Sequence, residues 1–545
     1  MWTSTLELNP RRVLMTQLLG RVWRGAYFSS FAPLQVQNLP RQPLPASSDW
    51  VRVRNHLAGI CGSDLHLIYL DGSLRSAPAA LPGHTYTYPG HEVVGEVVEV
   101  GDEVKRLHVG DRVVLQSGPS CLSAGVEPPC RSCAAGNYNL CEQGNLPGPE
   151  PVGGGWSEEM LLSEKQLFRI PSTMSDEQAV LLEPSAVAVH AVLRHVPRPG
   201  DHVLIIGAGT IGLLVLQVLR ALAPQTRVSV MARHAFQVEQ ATRMGASYIL
   251  YPQDTYQSVK LTTGAQLYSG MFGNKMMLGG YDAIYDTVGT QRTLHDALRW
   301  TRAGGSVVLI GVNLHLVHID LSPVWYQEVN LLGSVAHGME TWPIGSREHR
   351  STFSVATELI QSGQIQPEKL ITHRFALSNF KDALSASTGK SQSRAIKVVF
   401  DYALMPATVV PNVRATGRQR RPATTTITQA PEPATPLNNE EPAVPQEISR
   451  HTGAPVPSKA NSDILQPPAT LPPSIKVDDD RTVTVPKLRR TRQIHIQPLP
   501  KNTEDIQISQ DAAENAHAQP TGATNGAPET LEGVDAPSPA SNENP

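Results

Sequence analysis

The segment Val203-Leu-Ile-Ile-Gly207-Ala-Gly209-Thr-Ile-Gly212 restricts the fold of this chain more than any other. Four apolar residues with the character of a buried strand run into a glycine turn, and the apolar stretch Leu213–Leu222 continues as a helix. A bare G-x-G-x-x-G occurs by chance, so the neighbouring segments decide. Further strands are expected at Arg227–Met231, Ala283–Asp286, Ser306–Ile310 and Val329–Gly333, separated by helical stretches. Strand and helix in alternation point to a parallel sheet with crossover helices on its faces.

In that setting the turn reads as a dinucleotide cradle formed by Gly207, Gly209, Thr210, Ile211 and Gly212. Glycines let the backbone approach a pyrophosphate, and the helix N-terminus offers oriented N–H groups and partial positive charge. An enzyme that binds NAD usually carries Asp or Glu at the end of the second strand, for the ribose hydroxyls. Here that end reads Val230-Met-Ala232-Arg233-His234. Ala232 cannot repel a 2′-phosphate, Arg233 could pair with one and His234 could assist, so NADP is expected, with NAD as the alternative. The plain alternative for Arg233 is a solvated residue at a strand end.

The first part of the chain has a different texture. Residues 50–54 alternate, and the runs Glu92–Val100 and Asp111–Leu115 are β-rich and punctuated by glycine. All five cysteines lie between Cys61 and Cys141. Cys121, Cys130, Cys133 and Cys141 form a cluster whose spacing suits a closed, four-thiolate structural zinc site in a segment too poor in apolar residues to fold by burial. Cys61 stands alone, with Gly90-His91-Glu92 not far beyond it. One Cys with a His and a carboxylate leaves a coordination position open for chemistry. Cys61 and His91 are expected ligands. Glu183, in Leu-Leu-Glu183-Pro184, is the expected third, because a carboxylate in an apolar run needs a partner. Glu92 competes for that position, and a salt bridge across a hinge is the other reading of Glu183.

Composition bounds the rest. Beyond Tyr402 there is no Phe, Trp, Tyr or Cys, and that stretch holds 22 of the 45 prolines. It cannot bury enough apolar surface to offset its ordering entropy, and is expected to be disordered. It carries basic patches at Arg414–Arg421 and Lys487–Arg490. A net charge of −3 gives no reason to expect nucleic acid as a partner. Clustered cysteines at metal-like spacings suit a reducing compartment. With no signal peptide and no membrane span in the sequence, the expected location is the cytoplasm.

Taken as a set, G-I-C-G-S-D-L-H, G-H-E-V-V-G, the cysteine cluster, L-E-P, G-A-G-T-I-G, Gly153-Gly-Gly-Trp-Ser-Glu158 and the strand at 303–312 resemble the zinc-dependent medium-chain dehydrogenase/reductase superfamily. Within it, Glu183 in place of a cysteine resembles the polyol and threonine dehydrogenase-like branch. The resemblance implies an α/β chain. A GroES-like, mostly β catalytic domain would be built from 1–180 and a return segment, 338–402. It would clasp a Rossmann doubly wound parallel sheet at 181–337, followed by the disordered tail at 403–545. It implies zinc-dependent hydride transfer between an alcohol or polyol and NADP, with two zinc ions per chain, one catalytic and one structural. It implies that Ser63 takes the substrate proton, His66 passes it toward solvent, Asp64 hydrogen-bonds His91, and Val312 lies near the nicotinamide. A homo-oligomer is implied as well. Three departures stand out: Cys121 lies farther from Cys130 than is usual, with Glu127 in the usual near position, the acid at the end of the second strand is replaced, and the tail has no counterpart. Other readings remain: oxidation of a hydroxy-amino acid with NAD, or a catalytically retired body whose tail binds a partner. Trp156, Tyr69 and Trp325 are candidates either for the pocket wall or for packing.

Overall fold

The computed structural model describes residues 1–46, 48–73, 86–253 and 255–405. The tail read as disordered lies outside them, apart from 403–405.

The glycine turn stands at the centre of a six-stranded, all-parallel sheet. Its order is Tyr248–Leu250, Arg227–Met231, His202–Ile206, Tyr281–Asp286, Thr301–Leu309 and Asn330–Gly333. The order reverses beside His202–Ile206, where the open crevice of a doubly wound sheet forms. The helix Thr210–Leu222 packs on this sheet with every residue from Gly212 to Leu219 buried. That explains why its sequence lacks a polar face. The strands are equally apolar: Val203, Leu204, Ile205, Val228 and Val230 are fully buried, as expected for a parallel sheet covered on both sides.

A second sheet has seven strands. Ile371–Phe375, Lys397–Asp401, Trp50–Gly59, Val93–Val100, Arg112–Leu115 and Leu167–Arg169 follow in that order, and Glu159–Ser163 also pairs with Trp50–Gly59. The C-terminal strand Lys397–Asp401 lies antiparallel to Trp50–Gly59, with Val399 opposite Gly59. Both ends of the described chain therefore build one β lobe, and the parallel sheet is inserted between them. Ser175 caps the turn that follows it: its hydroxyl accepts from the Gln178 N–H, and Gln178 reaches back to the Ser175 N–H. The helix after it, Leu182–Arg194, leads from the β lobe to the parallel sheet and carries Glu183 in its first turn.

Two segments are additions that hydrophobic periodicity did not indicate. Trp2–Glu7 pairs with Leu34–Asn38, and the helix Pro10–Gly20 lies between them. This helix buries Thr16 and leaves Leu14, Met15, Leu18 and Leu19 exposed. A hairpin of Gln266–Ser269 and Lys275–Leu278 interrupts the alternation of the parallel sheet. Among the described residues no helix is long and apolar enough to cross a membrane.

Candidate active site

The strand Trp50–Gly59 delivers Cys61 to the head of the short helix Gly62–Ile68. Cys61 is the N-cap residue, and its own N–H donates to Asp64 Oδ2 at 3.1 Å, so the cap fixes the thiol and the carboxylate together. The other oxygen of Asp64 accepts from the Gly90 N–H at 3.3 Å and lies 3.5 Å from His91 Nδ1. Ligand atoms of Cys61, His91 and Glu92 fall within 4.8 Å of one another. Burial opposes charge on Asp64, but His91 and the backbone N–H groups of Cys61 and Gly90 outweigh it and lower the pKa. Burial likewise opposes charge on His91, and Asp64 with Cys61 overrides it, raising the imidazole well above its ordinary value. Surroundings that draw a proton so strongly also suit a cation held between a thiolate and an imidazole.

The two candidate carboxylates differ. Glu92 is 1% exposed, and its Oε2 lies 2.5 Å from Lys397 Nζ, itself 2% exposed. Glu183 is outside the group of three. Among the described residues its carboxylate has no hydrogen-bond or salt-bridge partner, so no described arginine forms the hinge salt bridge. Burial pushes it up to about 7, helped by Glu92 and Asp64 and opposed by His91 and Lys397. The charges of His91 and Glu92 thus reach it, while its own carboxylate remains uncommitted.

Ser63 is half-buried beside Cys61. His66 Nδ1 lies 2.9 Å from Asp71 Oδ2. Asp71 folds back because the helix ends in a six-residue cap: the Asp71 N–H donates to His66 O at 2.8 Å and the Leu70 N–H to Leu67 O at 3.2 Å. Leu70 takes the left-handed conformation this requires, at φ +52°.

The four-cysteine cluster is assembled, with all four sulfurs within 4.8 Å of one another. Cys121 Sγ lies 3.7 Å from Cys141 Sγ and accepts from the Cys130 N–H at 3.5 Å, whereas Glu127 is exposed and outside the group. The long spacing is therefore a loop that returns Cys121 to the cluster. Backbone N–H groups of Glu142 and Cys133 lower the Cys130 thiol to about 6, and burial raises that of Cys133.

Across the cleft, the glycine turn has the shape its sequence requires. Gly207 sits at φ +101°, and a Cβ there would meet Thr287 Oγ1 at 2.7 Å. A Cβ on Gly212 would lie 1.9 Å from the Gly207 carbonyl oxygen, so the helix can approach the strand only because the residue is glycine. Around Gly209 the space is open, its nearest neighbour being Lys390 Nζ at 4.0 Å. That vacant cradle fits a pyrophosphate. The Thr210 hydroxyl donates to Ile396 O at 3.0 Å, and both residues line the cleft. Ala232 is buried and Arg233 is exposed, and among the described residues no carboxylate pairs with the Arg233 guanidinium. His234 stacks on Phe236 at 5.5 Å.

A single cleft of about 550 Å³ is lined by Cys61 and Glu92 on one side and by Gly207–Gly212, Ala232, Arg233 and His234 on the other. Lys390 and Lys397 also line it, and neither was singled out from sequence. Lys397 had a signal, a lysine inside the apolar run Ala-Ile-Lys397-Val-Val-Phe400. Lys390 had none. Of the wall candidates, Trp156 is 1% exposed, donates from Nε1 to Gly59 O and packs on Phe400. Tyr69 packs on Tyr27 and Phe28, and Trp325 is exposed beside Tyr326. Those three are packing or surface residues. Val312 is exposed.

Residues 47–172 match the alcohol dehydrogenase GroES-like domain, and residues 210–348 match the zinc-binding dehydrogenase domain. Sorbitol dehydrogenase of Arabidopsis thaliana is 33% identical over 351 residues, covering 64% of this chain and 88% of the relative. The chain belongs to the zinc-dependent medium-chain dehydrogenase family. L-idonate 5-dehydrogenase of Vitis vinifera is 32% identical over 372 residues, covering 68% of this chain and 93% of that one. Among solved structures, a proposed zinc-binding dehydrogenase of Sinorhizobium meliloti with NADP bound superposes with a TM-score of 0.51 at 28% identity, covering 68% of this chain and 95% of that one. This dehydrogenase is thus a zinc-dependent oxidoreductase that uses a nicotinamide cofactor. Its β lobe is the GroES-like domain, and its parallel sheet is of the Rossmann type.

Proposed function

We propose that this dehydrogenase interconverts a polyol and the corresponding ketose or ketone, with NADP as its hydride carrier. The observation that carries the reading is that Cys61 and the glycine cradle open onto one cleft. When bound, zinc supplies a Lewis acid for the substrate oxygen, and the nicotinamide supplies the hydride acceptor. Cys61, His91 and Glu183 would hold the ion, with Glu92 available for exchange if it leaves Lys397. Asp64 fixes the imidazole of His91 from behind. Ser63 takes the proton of the substrate hydroxyl, and His66 passes it outward. Cys121, Cys130, Cys133 and Cys141 would hold the second zinc, which orders their loop. Gly207, Gly209 and Gly212 would admit the pyrophosphate, with Lys390 beside them in the cleft, and Arg233 with His234 would receive the 2′-phosphate. The polyol class is supported by the sorbitol and idonate relatives, and the choice of NADP by the cofactor in the Sinorhizobium meliloti structure.

Zinc-loaded enzyme, mixed with NADP or NAD and a panel of alcohols, polyols and threonine, is expected to produce reduced-nicotinamide absorbance with polyols and NADP. Silence across the panel would favour the retired body, and turnover of threonine with NAD would favour the hydroxy-amino-acid reading. The cofactor choice has its own test. Ala232→Asp places a carboxylate against the 2′-phosphate and should lower kcat/KM for NADP relative to NAD by roughly tenfold or more. Unchanged selectivity would remove Arg233 and its neighbours from the account.

A further inference from the structure

We infer that Asp71 and His315 form a clasp between the two lobes that positions His66, so that the proton path is aligned only when the lobes meet. The inference rests on the functional reading above and adds to it two positioning residues that neither the glycine cradle nor the metal group includes.

The geometry is a carboxylate held between two imidazoles. Asp71 Oδ2 lies 2.9 Å from His66 Nδ1, and Asp71 Oδ1 lies 2.8 Å from His315 Nε2. His66 belongs to the β lobe, whereas His315 follows Thr301–Leu309 of the parallel sheet. A second bond ties the same two segments, with the Ser73 N–H donating to Leu314 O at 2.7 Å. His315 is itself steadied by its N–H, which donates to Asn313 Oδ1 at 2.8 Å. An ionised carboxylate only accepts, so each ring nitrogen facing Asp71 carries a hydrogen. A proton fixed on Nδ1 leaves Nε2 of neutral His66 as the acceptor, the tautomer a relay from Ser63 requires. Burial works against the Asp71 charge, but the hydrogen bonds from His315 and His66 prevail and lower its pKa, in keeping with a carboxylate.

The exposure of the clasp argues that its role is alignment. The side chains of Asp71 and His315 are 51% and 54% exposed. Pairs this open add little to stability. A clasp that adds little stability yet joins the two lobes has its effect on orientation: removing it should alter the relay and leave the melting temperature alone.

The test uses the full-length, zinc-loaded chain and the variants Asp71→Asn and His315→Ala. Asp71→Asn is expected to lower kcat on the order of tenfold to a hundredfold, at or below the low end of what a proton-transfer group itself contributes, because Asp71 acts through His66. KM for substrate and cofactor should stay within about twofold, as for a group that acts on the transfer step. His315→Ala should show the same split with a smaller loss. Ring nitrogen NMR shifts, with His66 assigned from a His66→Gln variant, should report Nδ1–H in the wild type and a mixture of tautomers in Asp71→Asn. Wild-type kcat in both variants would overturn the clasp, as would an unchanged ring spectrum in Asp71→Asn. The spectrum is read without turnover, so the clasp can fail while the enzyme is active. An enzyme silent across the substrate panel would instead count against the functional reading, and the ring spectrum would still decide the clasp.

Discussion

Replacing Cys61 by serine is expected to abolish turnover and halve the zinc content while leaving the fold in place. The local structure is the reason these effects separate. Cys61 is the N-cap of Gly62–Ile68, and serine is among the best N-cap residues, so the helix start loses nothing. The backbone bond from residue 61 to Asp64 does not involve the side chain and persists. What changes is the donor: a thiol that ionises readily and binds zinc strongly becomes a hydroxyl that does neither. His91 keeps Asp64 behind it but loses the thiolate. Lewis-acid assistance is worth several kcal/mol, so its loss should lower kcat by about a thousandfold or more. The measurements are steady-state kinetics, metal content per chain and a thermal melt of the same preparation. An active, zinc-free Cys61→Ser enzyme would end the metal-assisted mechanism.

The regions that were legible in the sequence share a property: their signals are local. The strand Arg227–Met231 and the helix that follows the glycine turn each lie within a few residues of the pattern that encodes them. The cysteine cluster was legible through spacing, even though Cys121 reaches the others only through a longer loop. What stayed hidden depends on chain segments that meet only in the fold. Glu92 and Lys397 are separated by 305 positions, and Asp71 and His315 by 244. No periodicity carries such information. The helix Pro10–Gly20 was hidden for a different reason. Its apolar side chains face outward, so hydrophobic patterning points to the wrong face. Glu183 lies between these cases. Its apolar setting marked it as a carboxylate in need of a partner, and among the described residues it has no hydrogen-bonding partner while Glu92 is paired with Lys397.

That pairing makes Lys397→Met the other variant with a large expected effect, this time on stability. Both side chains are almost wholly buried, and Lys397 Nζ also donates to Ile60 O at 3.2 Å. Methionine fills much the same volume but leaves the Glu92 carboxylate and the Ile60 carbonyl without their donor. Breaking a buried pair from one side costs about 3–5 kcal/mol, because the remaining charge is uncompensated. The location magnifies the consequence: Lys397 begins the C-terminal strand that pairs with Trp50–Gly59, two residues before Cys61. Denaturant unfolding of the metal-free protein should show the loss, and Glu92→Gln combined with Lys397→Met should recover part of it, since the amide carries no charge to strand. If Lys397→Met unfolded within about 1 kcal/mol of the wild type, the pair would be weak by the standard of buried ion pairs. Glu92 would then be free to leave Lys397, and the preference for Glu183 as the third zinc ligand would lose its main support.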